Sequence, residues 1–498
     1  MGLKSFASRL LAAYAKRKVR SWSSNAISDQ QATMKSLLKQ AGDTAFGVDH
    51  KFKSIHSYAD FKEAIPLRDY EALKPYVDRV VKGEADVLWP GRPLYFSKTS
   101  GTTSGAKYIP ISRDSMPHHI EAARNALLLY IAETGKSDFV DGKMIFLQGS
   151  PELGDTNGVA TGRLSGIVAH HVPSYLQKNR LPSYETNCIS DWETKVDRII
   201  DETIDQPMSL ISGIPSWVQH YFEKLIERAG VDAVSEVFPK FELFVYGGVN
   251  YEPYRKRFEQ LIGKRVDSIE TYPASEGFIA FQDSQHAEGL LLNTRAGIFF
   301  EFVPAASFFD ENPPRLSLED VELDTNYVVI LNTNAGLWGY NIGDTVKFVS
   351  LNPYRVVVSG RIKHFTSAFG EHVIAEEVEY SMKQALEACG GEVVEFTVAP
   401  QLENEQGLPY HEWLIAFANA PADMDAFAKE LDAGLCGKNI YYADLIRGKI
   451  LEPLHISPLK PDAFHNYMKS VGKLGGQNKV PRLSNDRKIA EALLQWKQ

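Results

Sequence analysis

The sequence predicts an α/β fold in three parts: a large N-terminal domain of parallel α/β sheets, a mainly antiparallel β subdomain over about residues 290–364, and a small α+β C-terminal domain over residues 365–498. Three observations predict it. Between residues 113 and 269 short apolar runs alternate with helix-like stretches, the order that builds buried parallel sheets. After residue 290 strand-like runs follow one another with few helices between them. Near Phe365 the pattern changes to a mixture of helices and strands.

The first stretch, Met1 to Trp22, places Phe6, Leu10, Leu11 and Tyr14 at helical spacing, with Lys16, Arg17, Lys18 and Arg20 behind them. A secretory leader has its charge first and its apolar run second. The stretch therefore reads as an amphipathic helix laid on the core, with a membrane-surface helix as the alternative. A helix follows over Arg113–Glu133 and a strand over Met144–Leu147. Next come helix Asp191–Ile204, strand Met208–Ile211, and a helix from Pro215, where proline is tolerated, to near Gly230. Strand Phe241–Tyr246, helix Tyr251–Ile262 and short strand Val266–Ile269 complete the alternating part. Gly297–Val303, Tyr327–Leu331 and Tyr354–Val358 are the strands of the antiparallel part. Val373–Ala388 and Met424–Leu431 read as helices and Val393–Val398 and Trp413–Phe417 as strands of the last part, with Ser367–Glu371 as a candidate hinge.

Composition excludes several classes. The chain has 498 residues, 44% of them hydrophobic, enough for a large core. No run approaches the ~20 apolar residues of a spanning helix, so no integral membrane segment is expected. The net charge of −9 argues against nucleic acid as a partner. Cys188, Cys389 and Cys436 are few and scattered, forming neither a disulfide framework nor a metal site, which fits a cytoplasmic location.

Five segments carry chemistry. The first is Phe96-Ser97-Lys98-Thr99-Ser100-Gly101-Thr102-Thr103-Ser104-Gly105-Ala106-Lys107, set between two apolar runs. Glycines let amides turn inward, hydroxyls add donors, and lysine adds positive charge, as a polyphosphate clamp requires. Its glycines are one residue closer than in G-x-x-x-x-G-K-[ST], and Pro110 argues against an immediate helix, so a strand–loop–strand clamp is predicted; the alternative is a flexible surface loop. Second, Gly247-Gly248 ends a strand, where a flat ring such as adenine can lie on the backbone, or where the chain simply turns tightly. Third, in Glu270-Thr271-Tyr272-Pro273-Ala274-Ser275-Glu276-Gly277, Glu276 is suited to Mg²⁺ bridging phosphates and Tyr272 to stacking on a base; a solvated loop acid is the alternative. Fourth, Asp344 in Gly339-Tyr340-Asn341-Ile342-Gly343-Asp344 is a natural acceptor for two ribose hydroxyls, with Arg361 near in sequence, though Gly-Asp is also ordinary turn chemistry. Fifth, the glycine-rich arm Gly472–Arg482 carries Lys479, a compact charge for phosphate, although composition alone favours a basic disordered tail.

Taken together these segments resemble the GH3 family of acyl-acid amido synthetases, within the adenylate-forming superfamily of acyl-CoA synthetases, luciferases and peptide-synthetase adenylation domains. Lys98–Lys107 is similar to the family's Ser/Thr/Gly-rich first motif, Thr271–Glu276 to its tyrosine-to-glutamate second, Tyr340–Asp344 to its third, and Gln477-Asn478-Lys479-Val480-Pro481-Arg482 to its Gln-x-Lys-x-Pro-Arg element. Lys98-Thr99 stands where plant members commonly have another serine, and Ser367–His372 replaces a plant-type segment rich in Asp, Lys and Thr.

The resemblance implies a large N-terminal domain and a small mobile C-terminal one, ATP with Mg²⁺, a carboxylic acid substrate, an acyl-adenylate intermediate and an amine acceptor, in plant members an amino acid. It implies that Ser100, Gly101, Thr102 and Thr103 hold phosphates, that Gly248, Tyr272, Asp344 and Arg361 hold the nucleoside, that Glu276 carries Mg²⁺, and that Lys479 is catalytic. For the amine step a general base is needed, and His170 and His171 are eligible by type, with Arg163 as a partner for the substrate carboxylate. An acid-CoA ligase and a nucleotide-binding regulatory protein are the alternative readings. Oligomeric state is not legible in the sequence.

Overall fold

The computed structural model describes residues 3–102, 105–172, 177–248, 251–362, 365–366, 368–371, 373–402, 404, 407–471 and 480–498. They divide into two compact units, one holding most of the chain up to Ile362 and the other most of the remainder.

The first unit opens with five helices: α1 (Leu3–Ser23), α2 (Ala26–Ala41), α3 (Ala45–Asp49), α4 (Tyr58–Ala64) and α5 (Tyr70–Val81). Local chemistry starts the last three. Thr44 accepts from the Gly47 amide, Ser57 and Asp60 form a reciprocal capping box, and Asp69 accepts from the Ala72 amide. A small sheet follows, built from β1 (Tyr95–Thr102), β2 (Gly105–Ile111), β4 (Gly154–Thr156) and β5 (Val159–Gly162) in the order β2-β1-β5-β4. The long helix α6 (Met116–Thr134) precedes β3 (Lys143–Phe146), and α7 (Leu164–Ala169) follows β5.

The predicted parallel and antiparallel regimes are two halves of one sheet. Its parallel half contains β3, β6 (Arg180–Leu181), β7 (Met208–Ser212), β8 (Leu243–Gly247) and β9 (Asp267–Ala274). Its antiparallel half contains β10 (Gly277–Phe281), β11 (Leu290–Leu292), β12 (Ile298–Pro304), β13 (Asn326–Thr333), β14 (Tyr340–Leu351) and β15 (Tyr354–Arg361). The described strands run β12-β13-β14-β15-β11-β10-β9-β8-β7-β3-β6, eleven in all. The junction is β9, which is longer than the Val266–Ile269 expected: it pairs parallel with β8 and then turns back as a hairpin with β10.

The second unit contains β16 (Phe365–Thr366), β17 (Val373–Ile374) and a mixed sheet of β18 (Glu392–Gln401), β19 (Tyr410–Asn419) and β20 (His455–Leu459). Helices Ala375–Cys389 and Met424–Lys438 pack on each other, the second running beyond the Leu431 expected. Among the described residues no helix is long and apolar enough to cross a membrane.

One expectation reverses. Helix α1 lies on α6, but its apolar run is not the buried face. Ser5, Ala12, Ala15, Val19 and Trp22 are buried, while Phe6, Leu10, Leu11 and Tyr14 are more than half exposed. Small residues allow close approach to α6, so the seam is Ala-rich and the large side chains point out.

Candidate active site

The β9–β10 hairpin presents the second motif. Ala274 faces Gly277 in register, so Ser275 and Glu276 form the turn, with Glu276 half-buried. Gly277 follows it closely packed: a Cβ there would lie 2.5 Å from Ile298 Cδ1 and would push that side chain aside. Tyr272 is buried on β9 and its Oη donates to Asp344 Oδ2 at 2.6 Å.

Asp344 is aimed by an irregularity in β14. Val328 pairs with Thr345 and Ile330 with Asn341, so extra residues of β14 bulge out between these pairs. Gly343, at φ +86°, permits the bulge, and its amide donates to Asn341 Oδ1 at 2.7 Å. Arg361 faces Asp344 across β14 and β15. The end of β8 lies beside the strand that carries Tyr272. Gly247 pairs with Thr271, and a Cβ there would meet the Thr271 carbonyl at 2.4 Å. Gly248 follows at φ +77° with nothing within 4 Å of a notional Cβ, one residue past the end of β8.

The Ser/Thr/Gly segment runs along β1 and β2, with Thr103 and Ser104 between them outside the described residues. Ser97, fully buried near the start of this segment, lies 2.8 Å Oγ to Oγ from Ser275. That contact brings the strand leading into the predicted phosphate clamp against the turn that bears Glu276. Lys107 lies 5.6 Å from the centre of the Tyr70 ring. Ser100, Gly101 and Thr102 belong to β1. The side chains of Ser100, Thr102 and Arg361 lie outside the described residues, as do Thr103 and Lys479 entirely.

Arg163 caps the start of α7, directly after Gly162, which pairs with Ser97. It therefore sits beside the same strand. His170 Nε2 is 2.7 Å from the Pro151 carbonyl, and His171 Nε2 is 3.0 Å from Tyr95 Oη. Burial, and secondarily the neighbouring His170, holds the His171 pKa below its ordinary value. Sequence reasoning missed Lys195. It is buried, donates to the carbonyls of Gln148 and Asn187 at 3.0 and 2.8 Å, and burial draws its ammonium down to about 8. A lysine among the apolar positions Trp192, Val196 and Ile199 was the available signal.

Of the arm bearing Lys479, the described part is strongly anchored. Thr397 Oγ1 donates to the Pro481 carbonyl at 2.6 Å and the Val398 amide to the Arg482 carbonyl at 2.9 Å. Arg482 pairs with Glu395 and Glu379 and stacks 4.5 Å from the Phe396 ring centre. Among the described residues no cluster of three or more His, Cys, Asp or Glu could hold a metal. A single carboxylate such as that of Glu276 fits the way Mg²⁺ is usually held, by one or two carboxylates together with substrate phosphates.

Over nearly its whole length this architecture is shared with a solved acyl acid amido synthetase, AtGH3.15 in complex with 2,4-DB. The TM-score is 0.62 at 15% identity, covering 98% of this chain and 96% of that one, which defines the fold class. Family models describe the same chain in three pieces: the GH3 family N-terminal domain at residues 15–193, the central domain at 291–361 and the C-terminal domain at 376–488. The chain belongs to the GH3 family. It is 22% identical over 391 residues to a jasmonoyl–L-amino acid synthetase of Nicotiana attenuata, spanning 64% of this chain and 66% of that protein. To a jasmonoyl–L-amino acid synthetase of Oryza sativa subsp. japonica it is 21% identical over 544 residues, spanning 92% of each.

Proposed function

We propose that this protein adenylates a carboxylic acid with ATP and then transfers the acyl group to an amino acid, giving an amide, AMP and pyrophosphate. The observation that carries the reading is the contact of Ser97, at the head of the Ser/Thr/Gly segment, with Ser275 of the second motif, together with the bond from Tyr272 on β9 to Asp344 on β14. A polyphosphate clamp, a metal-type carboxylate and a ribose-type carboxylate then serve one nucleotide.

A carboxylate is a poor electrophile, and AMP makes it reactive. In the first step a carboxylate oxygen attacks the α-phosphorus, the bond to the β-phosphate oxygen breaks, and pyrophosphate leaves. Charge grows on bridging and equatorial oxygens, so fixed donors and cations there supply the main catalytic effect. Ser100, Gly101, Thr102 and Thr103 would hold the β- and γ-phosphates. Mg²⁺ bound at Glu276 would neutralise the departing pyrophosphate. Gly248, Tyr272, Asp344 and Arg361 would fix the nucleoside. Lys479 would meet the α-phosphate and the incoming carboxylate, which Arg163 orients.

In the second step a neutral amine attacks the acyl carbon and AMP leaves with the bonding pair. The amine sheds a proton, and of the two histidines His171 is the better base. Burial holds its pKa below the ordinary value, so the ring is neutral at neutral pH and available to accept the proton. The three free cysteines agree with work in the reducing cytoplasm.

The test is a pyrophosphate-release screen over carboxylic acids, followed by mass spectrometry of reactions containing the active acid, ATP, an amino-acid mixture and CoA. An amide is expected. A thioester as the sole product would make the protein an acid-CoA ligase. No pyrophosphate release with any acid, despite ATP binding, would favour a regulatory role.

A further inference from the structure

Helix α1 buries its small residues and leaves its large apolar ones in solvent. Phe6, Leu10, Leu11 and Tyr14 are 58%, 62%, 55% and 68% exposed. At about 100° per residue, Phe6, Leu10 and Tyr14 fall in one stripe roughly 80° wide on the side away from α6. Nothing in fold stability accounts for four such side chains on one helix of about 30 Å.

The charges around the stripe are all of one sign. The helix carries Lys4, Arg9, Lys16, Arg17, Lys18 and Arg20 and no acid. On the same helical projection Arg9, Lys16 and Arg20 flank one edge of the stripe, Lys4 and Lys18 the other, and Arg17 lies at its C-terminal end. Three of these are tied inward: Lys18 to Glu121, Lys4 to Asn179 Oδ1 at 2.9 Å, and Arg9, whose Nε donates to Ser137 Oγ at 2.8 Å. Lys16, Arg17 and Arg20 are exposed. In a protein of net charge −9 this is a local concentration of positive charge.

We propose that α1 is a docking surface for an anionic phospholipid bilayer, lying in the plane of the interface with Phe6, Leu10 and Tyr14 inserted and the basic residues among the headgroups. An apolar stripe with basic edges on both sides is the pattern of an interfacial helix. Each lysine or arginine near such a surface adds attraction, and the inserted side chains supply the apolar part. A complementary protein surface is disfavoured by the convex shape of the single stripe and by the lack of any acid to set register. The surface would bring the enzyme to the phase in which lipophilic carboxylic acids collect.

The experiment is sedimentation of the full chain with vesicles of phosphatidylcholine alone and of phosphatidylcholine with about one-third phosphatidylserine. Binding is expected only to the anionic vesicles, weakening as salt rises. Two variants separate the contributions: Phe6→Ser/Leu10→Ser/Tyr14→Ser, and Lys16→Glu/Arg17→Glu/Arg20→Glu. Each should cut the bound partition about tenfold or more while leaving the melting temperature within a few degrees, since all six side chains are exposed. Failure to bind anionic vesicles at low salt overturns the proposal, as does binding that neither variant alters. Light scattering that shows a dimer dissolved by the serine variant would assign the face to a second copy and overturn it as well.

Discussion

The Tyr272 hydroxyl donates a hydrogen bond to Asp344, 2.6 Å from Oη to Oδ2, across 72 residues of chain. The hydrogen bond joins the tyrosine of one motif to the carboxylate of the next, the residue proposed to hold the ribose. Ribose contacts persist through ground and transition states, so they act as uniform binding. Asp344→Ala is expected to weaken ATP binding, read by calorimetry, with kcat at saturating ATP within a few-fold of the parent. Tyr272→Phe keeps the ring and loses only the bond, so affinity should fall by a smaller factor, about tenfold. A collapse of kcat at unchanged affinity in Asp344→Ala would contradict the ribose assignment.

Glu276 sits at the tip of a two-residue turn held against Ser97 through Ser275. Removing one such charge at a developing pyrophosphate should slow adenylation by roughly 10²-fold. Glu276→Gln should also need more Mg²⁺ to reach half its own maximal rate, measured by pyrophosphate release over a Mg²⁺ titration. A parent-like rate at limiting Mg²⁺ would remove the metal role.

The elements of this fold were more legible than their arrangement. Alternation between Lys143 and Ala274 is local, and the strands and helices fall close to where patterning puts them. Helices α2 to α5 went unassigned, although Ser57 and Asp69 carry ordinary capping chemistry. That two regimes form one eleven-stranded sheet could not be read, because strand order is set by contacts between distant segments. The same holds for the site: Ser97 and Ser275 meet across 178 residues, and neither stands out in sequence. For α1 the periodicity was correct and the face was not, since large apolar residues at helical spacing mark a core face only when something covers them.

His119 offers a pH test of the first unit. It lies buried on α6, and burial, aided by His118, draws its pKa from 6.5 down to about 4. Above about pH 6.5 both folded and unfolded chains hold a neutral ring and the residue has no effect on stability. Between pH 6.5 and 4 the unfolded chain takes the proton first, so stability falls with falling pH, by up to about 3 kcal/mol for this group. His119→Gln should flatten that part of the profile in denaturant titrations at stepped pH. An unchanged slope would show that other groups carry the acid sensitivity.

Arg482 is expected to act on the reaction at a distance of three residues in sequence. Its main chain is fastened to β18 through Val398, and its guanidinium is held by Glu379, Glu395 and the Phe396 ring. These contacts fix the backbone that follows Lys479 by two to three residues. A lysine that must meet the α-phosphate in line tolerates little displacement, and small misplacements can cost about 10²-fold. Lysine cannot reproduce a planar fork that both pairs and stacks, so Arg482→Lys should recover little of what Arg482→Ala loses. Both variants should slow pyrophosphate release at saturating ATP with nearly unchanged ATP affinity. Supplied with chemically made acyl-adenylate and amino acid, they should form amide at close to the parent rate, because Lys479 is assigned to making the adenylate and not to consuming it. Lys479→Ala should behave the same way and more severely. If preformed adenylate fails to restore amide formation in Arg482→Ala while restoring it in Lys479→Ala, Arg482 serves the fold of the second unit and not the placement of the lysine; if it restores neither, the assignment of Lys479 to the first step falls.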